Sequence, residues 1–266
     1  MTRTLSSLGF GAHFEEQLAA GEAEGIPARV AAEHRGSYEV WTPTSGGPAR
    51  LAGRLLQDRS EEAFPGVGDW VILASEPGAG QTTIIERVLQ RRTAFVRGAA
   101  GRETRGQVIA ANVDRVFIVC GLDADYNERR IERYVARVWA SGAQPFVILN
   151  KADVCVDSAR RAADIELRCP GVPVLVVTAT RHEGVEELRE LLSEGTTGAF
   201  VGSSGAGKST LVNALLGEER MATGDVRSYD DRGRHTTTHR QIFEVPGGGL
   251  VVDTPGMREL QLLDEQ

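Results

Sequence analysis

Two patterns of apolar and polar positions divide the chain. From about Ile26 to Gln90, short runs with strand character (ARVAAEHR, YEVWT, ARLAGRLL, DWVILA and TTIIERVL) are separated by glycine and proline turns such as Ser45-Gly46-Gly47-Pro48 and Pro65-Gly66-Val67-Gly68. Such a series of five short strands predicts a small all-β barrel, most simply an OB-fold; an SH3-type barrel is the alternative that periodicity does not separate from it. Residues 91–106, rich in Gly, Ala and Arg, read as a linker. From Val113 the pattern changes to apolar runs alternating with amphipathic segments. VDRVFIVCGL, PFVIL, VPVLVV, AFVG, RQIFEV and GLVVD read as strands. NERRIERYVARVWASG, SARRAADIELRC, GVEELRELLSEG (closed by Gly195) and KSTLVNALLG (closed by Gly217) read as helices. This alternation predicts a mostly parallel sheet with helices on both faces. The expected domains are an N-terminal extension over 1–25, the barrel over 26–92, a linker over 93–112 and the α/β domain over 113–266.

Four motifs fall at the C-terminal ends of the α/β strands, where open sheets of this class bind ligands. GSSGAGKST follows AFV and matches the phosphate-loop pattern between a strand and a helix. The backbone of Gly202, Ser203, Ser204, Gly205, Ala206 and Gly207 is expected to wrap phosphates, with Lys208 reaching the β- and γ-phosphates, Ser209 ligating Mg²⁺ and Thr210 completing the loop. NKAD (Asn150, Lys151, Ala152, Asp153) follows PFVIL. The Asp153 carboxylate can accept from the ring N–H and the exocyclic amine of guanine, a pair that adenine lacks. Lys151 can lay its stem over the base, and Asn150 can tie this loop to the phosphate loop. Taken by itself, Asp153 also fits a helix N-cap. Thr178 and Ala179 follow VPVLVV as the loop expected to meet the guanine carbonyl. DTPG follows GLVV, giving Asp253 as a water-mediated Mg²⁺ partner and Gly256 as a γ-phosphate donor.

The order of these motifs carries as much as their content. NKAD precedes the phosphate loop, the inverse of an ordinary GTPase, which predicts a circularly permuted P-loop GTPase domain behind the barrel. Only two lysines stand among the chain's 30 basic residues, Lys151 and Lys208, one in each nucleotide motif. A compact ammonium on a slim stem is not interchangeable with a guanidinium fork, so two sites keeping lysine in an arginine-rich chain fits a specific need there. GRHTTTHR (Gly233 to Arg240) stands where a switch loop belongs; Thr237, with Thr236 second, is the candidate Mg²⁺ ligand. Met257 stands just after DTPG, where Ras-like enzymes carry a water-orienting glutamine. His235 is therefore the candidate catalytic group for positioning or deprotonating water, against the alternative of a plain surface histidine.

Composition adds exclusions. Hydrophobic residues make up 41%, charged residues 25% and net charge is −7, so the whole molecule is not a general nucleic-acid binder. Residues 1–100 hold 10 arginines against 12 acidic residues; the barrel's charge alone does not argue for RNA. Two segments are locally basic: Arg91, Arg92, Arg97, Arg102 and Arg105 against Glu103, and Arg227, Arg232, Arg234 and Arg240 with His235 and His239 against Asp230 and Asp231. Each could meet phosphates or be a solvated basic stretch. Tyr38, Trp41 and Trp70 could be core or stacking platform. The three cysteines form no CxxC pair, no signal-peptide core opens the chain and no apolar run approaches the ~20 residues of a membrane span. A cytoplasmic protein without membrane contact is expected.

VGDWV, QVIAANVDRVFIV, NKAD, GSSGAGKST, GRHTTTHR and DTPGMREL, in that order, strongly resemble the small-subunit-dependent GTPase A family (RsgA, also called YjeQ), over about residues 26–262. The resemblance implies an OB-fold contacting ribosomal RNA, GTP/GDP and Mg²⁺ as ligands, and a role in late maturation of the small ribosomal subunit with hydrolysis stimulated by that subunit. It also implies a further helical segment and a small zinc domain past DTPG. This chain ends at Gln266 and none of its cysteines is placed as a ligand, so a truncated or short form without zinc is expected, acting as a monomer. The alternative is a GTP-holding, RNA-binding scaffold with little turnover.

Overall fold

A computed structural model of the chain describes residues 3–20, 25–34, 36–57, 64–78, 80–97, 107–218, 221 and 240–253. The first five strands are β1 (Ile26–His34), β2 (Ser37–Trp41), β3 (Gly46–Leu51), β4 (Trp70–Leu73) and β5 (Thr83–Val88). They pair in the order β1-β2-β3-β5-β4, and β4 returns to β1, so the barrel closes. One pair, β3 with β5, is parallel and the others are antiparallel, the arrangement of an OB-fold. Inward positions Ala28, Val30, Val40, Leu51, Val71 and Ile85 form its apolar core. ARLAGRLL does not continue as one strand. After Leu51 the chain turns at Ala52, whose carbonyl accepts the Leu55 and Leu56 amides, and Gly53–Gln57 forms the short helix α2. The preceding helix α1 (Ala12–Ala19) belongs to the expected N-terminal extension. It is tied down by burial: Leu8, Phe10 and Phe14 pack on Trp70, Ile72 and Leu89 of the barrel wall. Tyr38 and Trp70 are thus core residues, and only Trp41 is partly exposed, with the Arg3 guanidinium over its ring at 4.2 Å.

The expected linker over 93–112 contains more than connection. Strands β6 (Ala94–Arg97) and β7 (Gln107–Ala111) pair antiparallel, and Phe95, Ile109 and Ala110 enter the core of the following domain. Its apolar alternation is short and flanked by Gly and Arg, which hides it in the sequence.

The second domain comprises β8 (Arg115–Gly121), α3 (Glu128–Ala140), β9 (Gln144–Asn150), α4 (Ser158–Arg168), β10 (Val174–Val176), α5 (Val185–Glu190), β11 (Thr197–Val201), α6 (Lys208–Leu216), β12 (Arg240–Glu244) and β13 (Leu250–Asp253). The sheet order is β10-β9-β8-β11-β13-β12, parallel except that β12 runs antiparallel to β13. The strands are continuous apolar runs because apolar layers cover both faces. Helix α3 starts at Asn127, whose side chain accepts the Arg130 amide at 2.9 Å. Asn127→Ala is expected to destabilise the chain by about 1 kcal/mol, read as a lower urea midpoint at unchanged slope. Helix α5 ends at Glu190, short of the expected Gly195. Gly195 instead sits in a turn with φ +77, where a Cβ would lie 2.5 Å from the Ser6 carbonyl oxygen.

The two domains share hydrogen bonds. Strand β1 pairs through Ile26–Arg29 with β4, shifts register between Val30 and Ala32, and then pairs through Ala32 and Glu33 with Gln241 and Arg240 of β12. Past this register shift β1 stays paired with β2 as far as His34–Ser37, so one strand serves the barrel on one side and β12 on the other. The Arg240 guanidinium meets the Glu33 carboxylate at 3.0 Å across the joint. Deeper in, fully buried Arg29 donates to the carbonyls of Leu8, Gly68 and Asn112. Burial lowers its pKa to about 10, so it stays charged near neutrality.

Candidate functional site

Asn150, at the end of β9, is the centre of the site. It is buried, and both ends of its amide are engaged: Nδ2 donates to the Ala206 carbonyl at 2.9 Å and Oδ1 accepts the Ala179 amide at 3.1 Å. One side chain thereby holds the NKAD loop, the phosphate loop and the Thr178-Ala179 loop in one arrangement. Thr178 and Ala179 are buried, and the Thr178 amide donates to the Glu183 carbonyl at 2.9 Å.

The phosphate loop leaves β11 with a geometry that only glycine permits at two points. Gly202 has φ +140, and a Cβ there would lie 2.1 Å from the Val119 carbonyl oxygen. Gly207 has φ +97, and a Cβ there would lie 2.1 Å from Asn150 Nδ2. Lys208 opens α6, and its Nζ donates to the Gly202 carbonyl at 2.7 Å and to the Ser203 carbonyl. Helix α6 begins after Gly207, which offers its first amides no side-chain cap. Its first amides therefore face the loop, a ready cradle for phosphate oxygens. Ser204 and Gly205 are exposed at the loop tip, and Ser209 and Thr210 are half-buried in the first turn.

The base loop is equally constrained. Lys151 adopts left-handed backbone with φ +63, and its Nζ meets the Asp123 carboxylate at 2.6 Å. Ala152 and Asp153 lie in a single 3₁₀ turn, Ala152–Val154, and the N-cap position of the following helix α4 is Asp157, which makes no side-chain cap hydrogen bond. The Asp153 carboxylate stands 3.8 Å from Arg181. Asp253 ends β13 on the same edge of the sheet. Gly256, Met257, His235, Thr236 and Thr237 lie outside the described residues. The donors that are described fit a magnesium-bearing nucleotide in type: a serine hydroxyl at a helix start, a carboxylate at a strand end and a glycine loop with no room for a Cβ at Gly202 or Gly207.

A cavity of about 590 Å³ lies elsewhere, between the N-terminal segment and the opposite edge of the sheet, lined by His13, Arg92, Asp114, Arg115 and Gln144 among others. It contains none of the motif residues. The basic segments also read differently in three dimensions. Arg91 is held by Asp69 at 2.8 Å, Arg92 by Asp114 at 2.6 Å and Arg240 by Glu33, so these three arginines serve internal ion pairs. Burial raises the Asp69 carboxyl's pKa even against its pairing with Arg91.

The phosphate-loop, base-loop and Thr178-Ala179 segments thus converge on one edge of a sheet whose chain order is permuted. The model of the RsgA GTPase family matches residues 88–263. The chain belongs to the RsgA GTPase family. It is 46% identical over 268 residues to the small ribosomal subunit biogenesis GTPase RsgA of Opitutus terrae, covering 97% of this chain and 73% of that one. To the protein of the same name in Syntrophotalea carbinolica it is 44% identical, covering 98% and 73%. The crystal structure of YjeQ from Thermotoga maritima superposes with a TM-score of 0.66 at 25% identity, over 88% of this chain and 76% of that one. YloQ, described as a circularly permuted GTPase, shares the fold with a TM-score of 0.63 at 18% identity, over 87% and 71%. The family places this chain among GTP-hydrolysing enzymes that use a guanine nucleotide, and favours turnover over a passive GTP-holding scaffold. Among the described residues, no helix is long and apolar enough to cross a membrane.

Sequence reasoning missed two residues that touch the motif loops. Asp123 and Asp125, between β8 and α3, contact the base loop and the phosphate loop, and no motif of theirs flags them.

Proposed function

We propose that this chain acts in late maturation of the small ribosomal subunit, docking on that subunit and its RNA and hydrolysing GTP when docked. The proposal takes it as a cytoplasmic monomer, with the barrel over 26–92 and the GTPase domain over 113–266 as working bounds. The observation that carries it is the shared strand β1. Strand β12, which begins at Arg240, the last residue of GRHTTTHR, is hydrogen-bonded to the barrel through Ala32–Gln241 and Glu33–Arg240. In this reading the segment that answers to the γ-phosphate is continuous in sequence with a strand paired to the barrel, so docking and nucleotide state can bias each other.

In this reading Asn150, Lys151, Ala152 and Asp153 hold the base, with Thr178 and Ala179 beside its carbonyl. The phosphate-loop residues Gly202 to Thr210 and Gly256 hold the phosphates. Ser209, Thr237 and Asp253 would hold Mg²⁺, which when bound would supply neutralisation of phosphate charge. His235 orients the water that Met257 cannot.

The test is GTP turnover with and without purified small ribosomal subunits. Turnover is expected to rise at least about tenfold with subunits, to vanish in Lys208→Ala, and to lose most of the stimulation in His235→Ala. Turnover indifferent to subunits refutes the ribosomal reading; His235→Ala with full stimulation removes His235 from the chemistry.

A further inference from the structure

The loop between β8 and α3, Leu122 to Asn127, reaches both nucleotide-binding loops. Its backbone is stitched to the base loop: the Leu122 amide donates to the Asn150 carbonyl at 2.8 Å. Asp123 uses its two oxygens differently. Oδ1 accepts the Asp125 amide at 3.0 Å, which fixes the carboxylate on its own loop. Oδ2 accepts the Lys151 ammonium at 2.6 Å. Gly121 keeps the space open, since a Cβ there would lie 2.8 Å from Asp123 Oδ1 and 3.4 Å from Lys151 Cδ. The lysine holds the Asp123 carboxyl below the usual carboxylate range.

Asp125 faces the other loop. Its Oδ2 accepts the hydroxyl of buried Ser203, and its Oδ1 is 2.8 Å from the Arg130 guanidinium, which also donates to the Asp125 carbonyl. Ser203 is the residue whose carbonyl receives Lys208. The two lysines of the chain are therefore governed by one short loop, Lys151 directly and Lys208 through Ser203.

We propose that Asp123 and Asp125 are positioning residues for the guanine nucleotide: Asp123 fixes Lys151 at the base site, and Asp125 fixes the phosphate-loop segment that holds Lys208. A four-carbon ammonium stem has many rotamers, and ordering it at the moment of binding is costly. A charge-assisted bond to a carboxylate that is itself anchored removes that cost in advance. The same logic applies to Ser203, whose hydroxyl is held by a carboxylate that Arg130 locks onto α3. The two carboxylates act on different parts of the ligand, which gives each its own signature. The inference rests on the guanine-nucleotide reading of this site.

The experiment compares wild type, Asp123→Asn, Asp123→Glu, Asp125→Asn, Ser203→Ala and the Asp125→Asn/Ser203→Ala pair. The readouts are KM and kcat for GTP and the release rate of a fluorescent GDP analogue. Asp123→Asn is expected to raise KM about tenfold and speed release about as much, with kcat changed less than about twofold. Asp123→Glu, which keeps the charge, recovers much of the loss. Asp125→Asn and Ser203→Ala each speed release, and the pair is no faster than the stronger single variant. Loss of folded protein lowers kcat and leaves KM in place, so that pattern overturns the proposal, as does an unchanged KM in Asp123→Asn or full additivity in the Asp125/Ser203 pair. Wild type that binds no guanine nucleotide overturns the reading of the site and this inference together. Wild type that turns over GTP beside an unaffected Asp123→Asn overturns the inference alone.

Discussion

Gly207→Ala is expected to weaken GTP binding at least about a hundredfold while the chain still folds. Two costs add. The backbone at Gly207 has φ +97, where an L side chain is strained by about 1–2 kcal/mol. The new Cβ would also lie 2.1 Å from Asn150 Nδ2, so the amide must leave. Asn150 then loses its bonds to the Ala206 carbonyl and the Ala179 amide, and an unsatisfied buried polar group costs about 1–3 kcal/mol. A combined cost near 3 kcal/mol corresponds to about two decades in affinity if most of it falls on the bound arrangement. Gly217→Ala is the matched control. Gly217 has φ +70 at the end of α6 but nothing within 4 Å of a would-be Cβ. It should lose some thermal stability and keep its GTP affinity. Titration with a fluorescent GTP analogue, alongside a melt of each variant, checks both. A Gly207→Ala chain that binds like wild type would show that Asn150 does not couple the loops.

This prediction joins a feature legible in the sequence to one that is not. The glycines, the lysine and the strand before them mark a phosphate loop because close approach of backbone to phosphate demands small residues in a fixed pattern. The inverted order of NKAD and GSSGAGKST marks the permutation because each motif must sit at a strand end of the same sheet, whatever the connectivity. The barrel is legible for a similar reason: strands of four to nine residues between Gly/Pro turns leave few all-β solutions. The identity of the residue that Gly207 must avoid is a distance between positions 57 apart in the chain, and no local pattern encodes it.

Other features escaped for physical reasons of the same kind. ARLAGRLL has strand-like alternation throughout, yet Ala52 ends the ladder and Leu55 is drawn back under the barrel by burial, so a helical turn forms. The segment before the barrel is held by Phe10 and Phe14 against Trp70, a long-range contact that a polar, glycine-flanked stretch does not advertise. Arg91 and Arg92 look like RNA-facing charge because composition cannot show Asp69 and Asp114 beside them. The left-handed backbone of Lys151 and its carboxylate partner likewise depend on where the β8–α3 loop passes. The sequence carries chemistry that must be local; pairings across elements need the fold.

Asp153→Asn should change which purine the site accepts. A carboxylate offers two acceptors, matching the ring N–H and the exocyclic amine of guanine. An amide offers one acceptor and one donor, which suits xanthine, where a carbonyl replaces the amine. Each charge-assisted bond lost is worth about 1.5–3 kcal/mol, so GTP affinity should fall by about two decades or more, and XTP should overtake it. Asp153 sits in the turn Ala152–Val154, and the N-cap position of α4 is Asp157, so the substitution removes no helix cap. Arg181, 3.8 Å from the carboxylate, loses a weak partner at an exposed position, which should cost little stability. Competition of GTP and XTP against a fluorescent guanine nucleotide reads the result directly. The contrast with Asp123→Asn is informative, because that variant acts through the stem of Lys151 and should weaken GTP and XTP in parallel. An Asp153→Asn chain that still prefers GTP at unchanged affinity would return Asp153 to a turn residue and leave guanine selection to the backbone at Thr178 and Ala179.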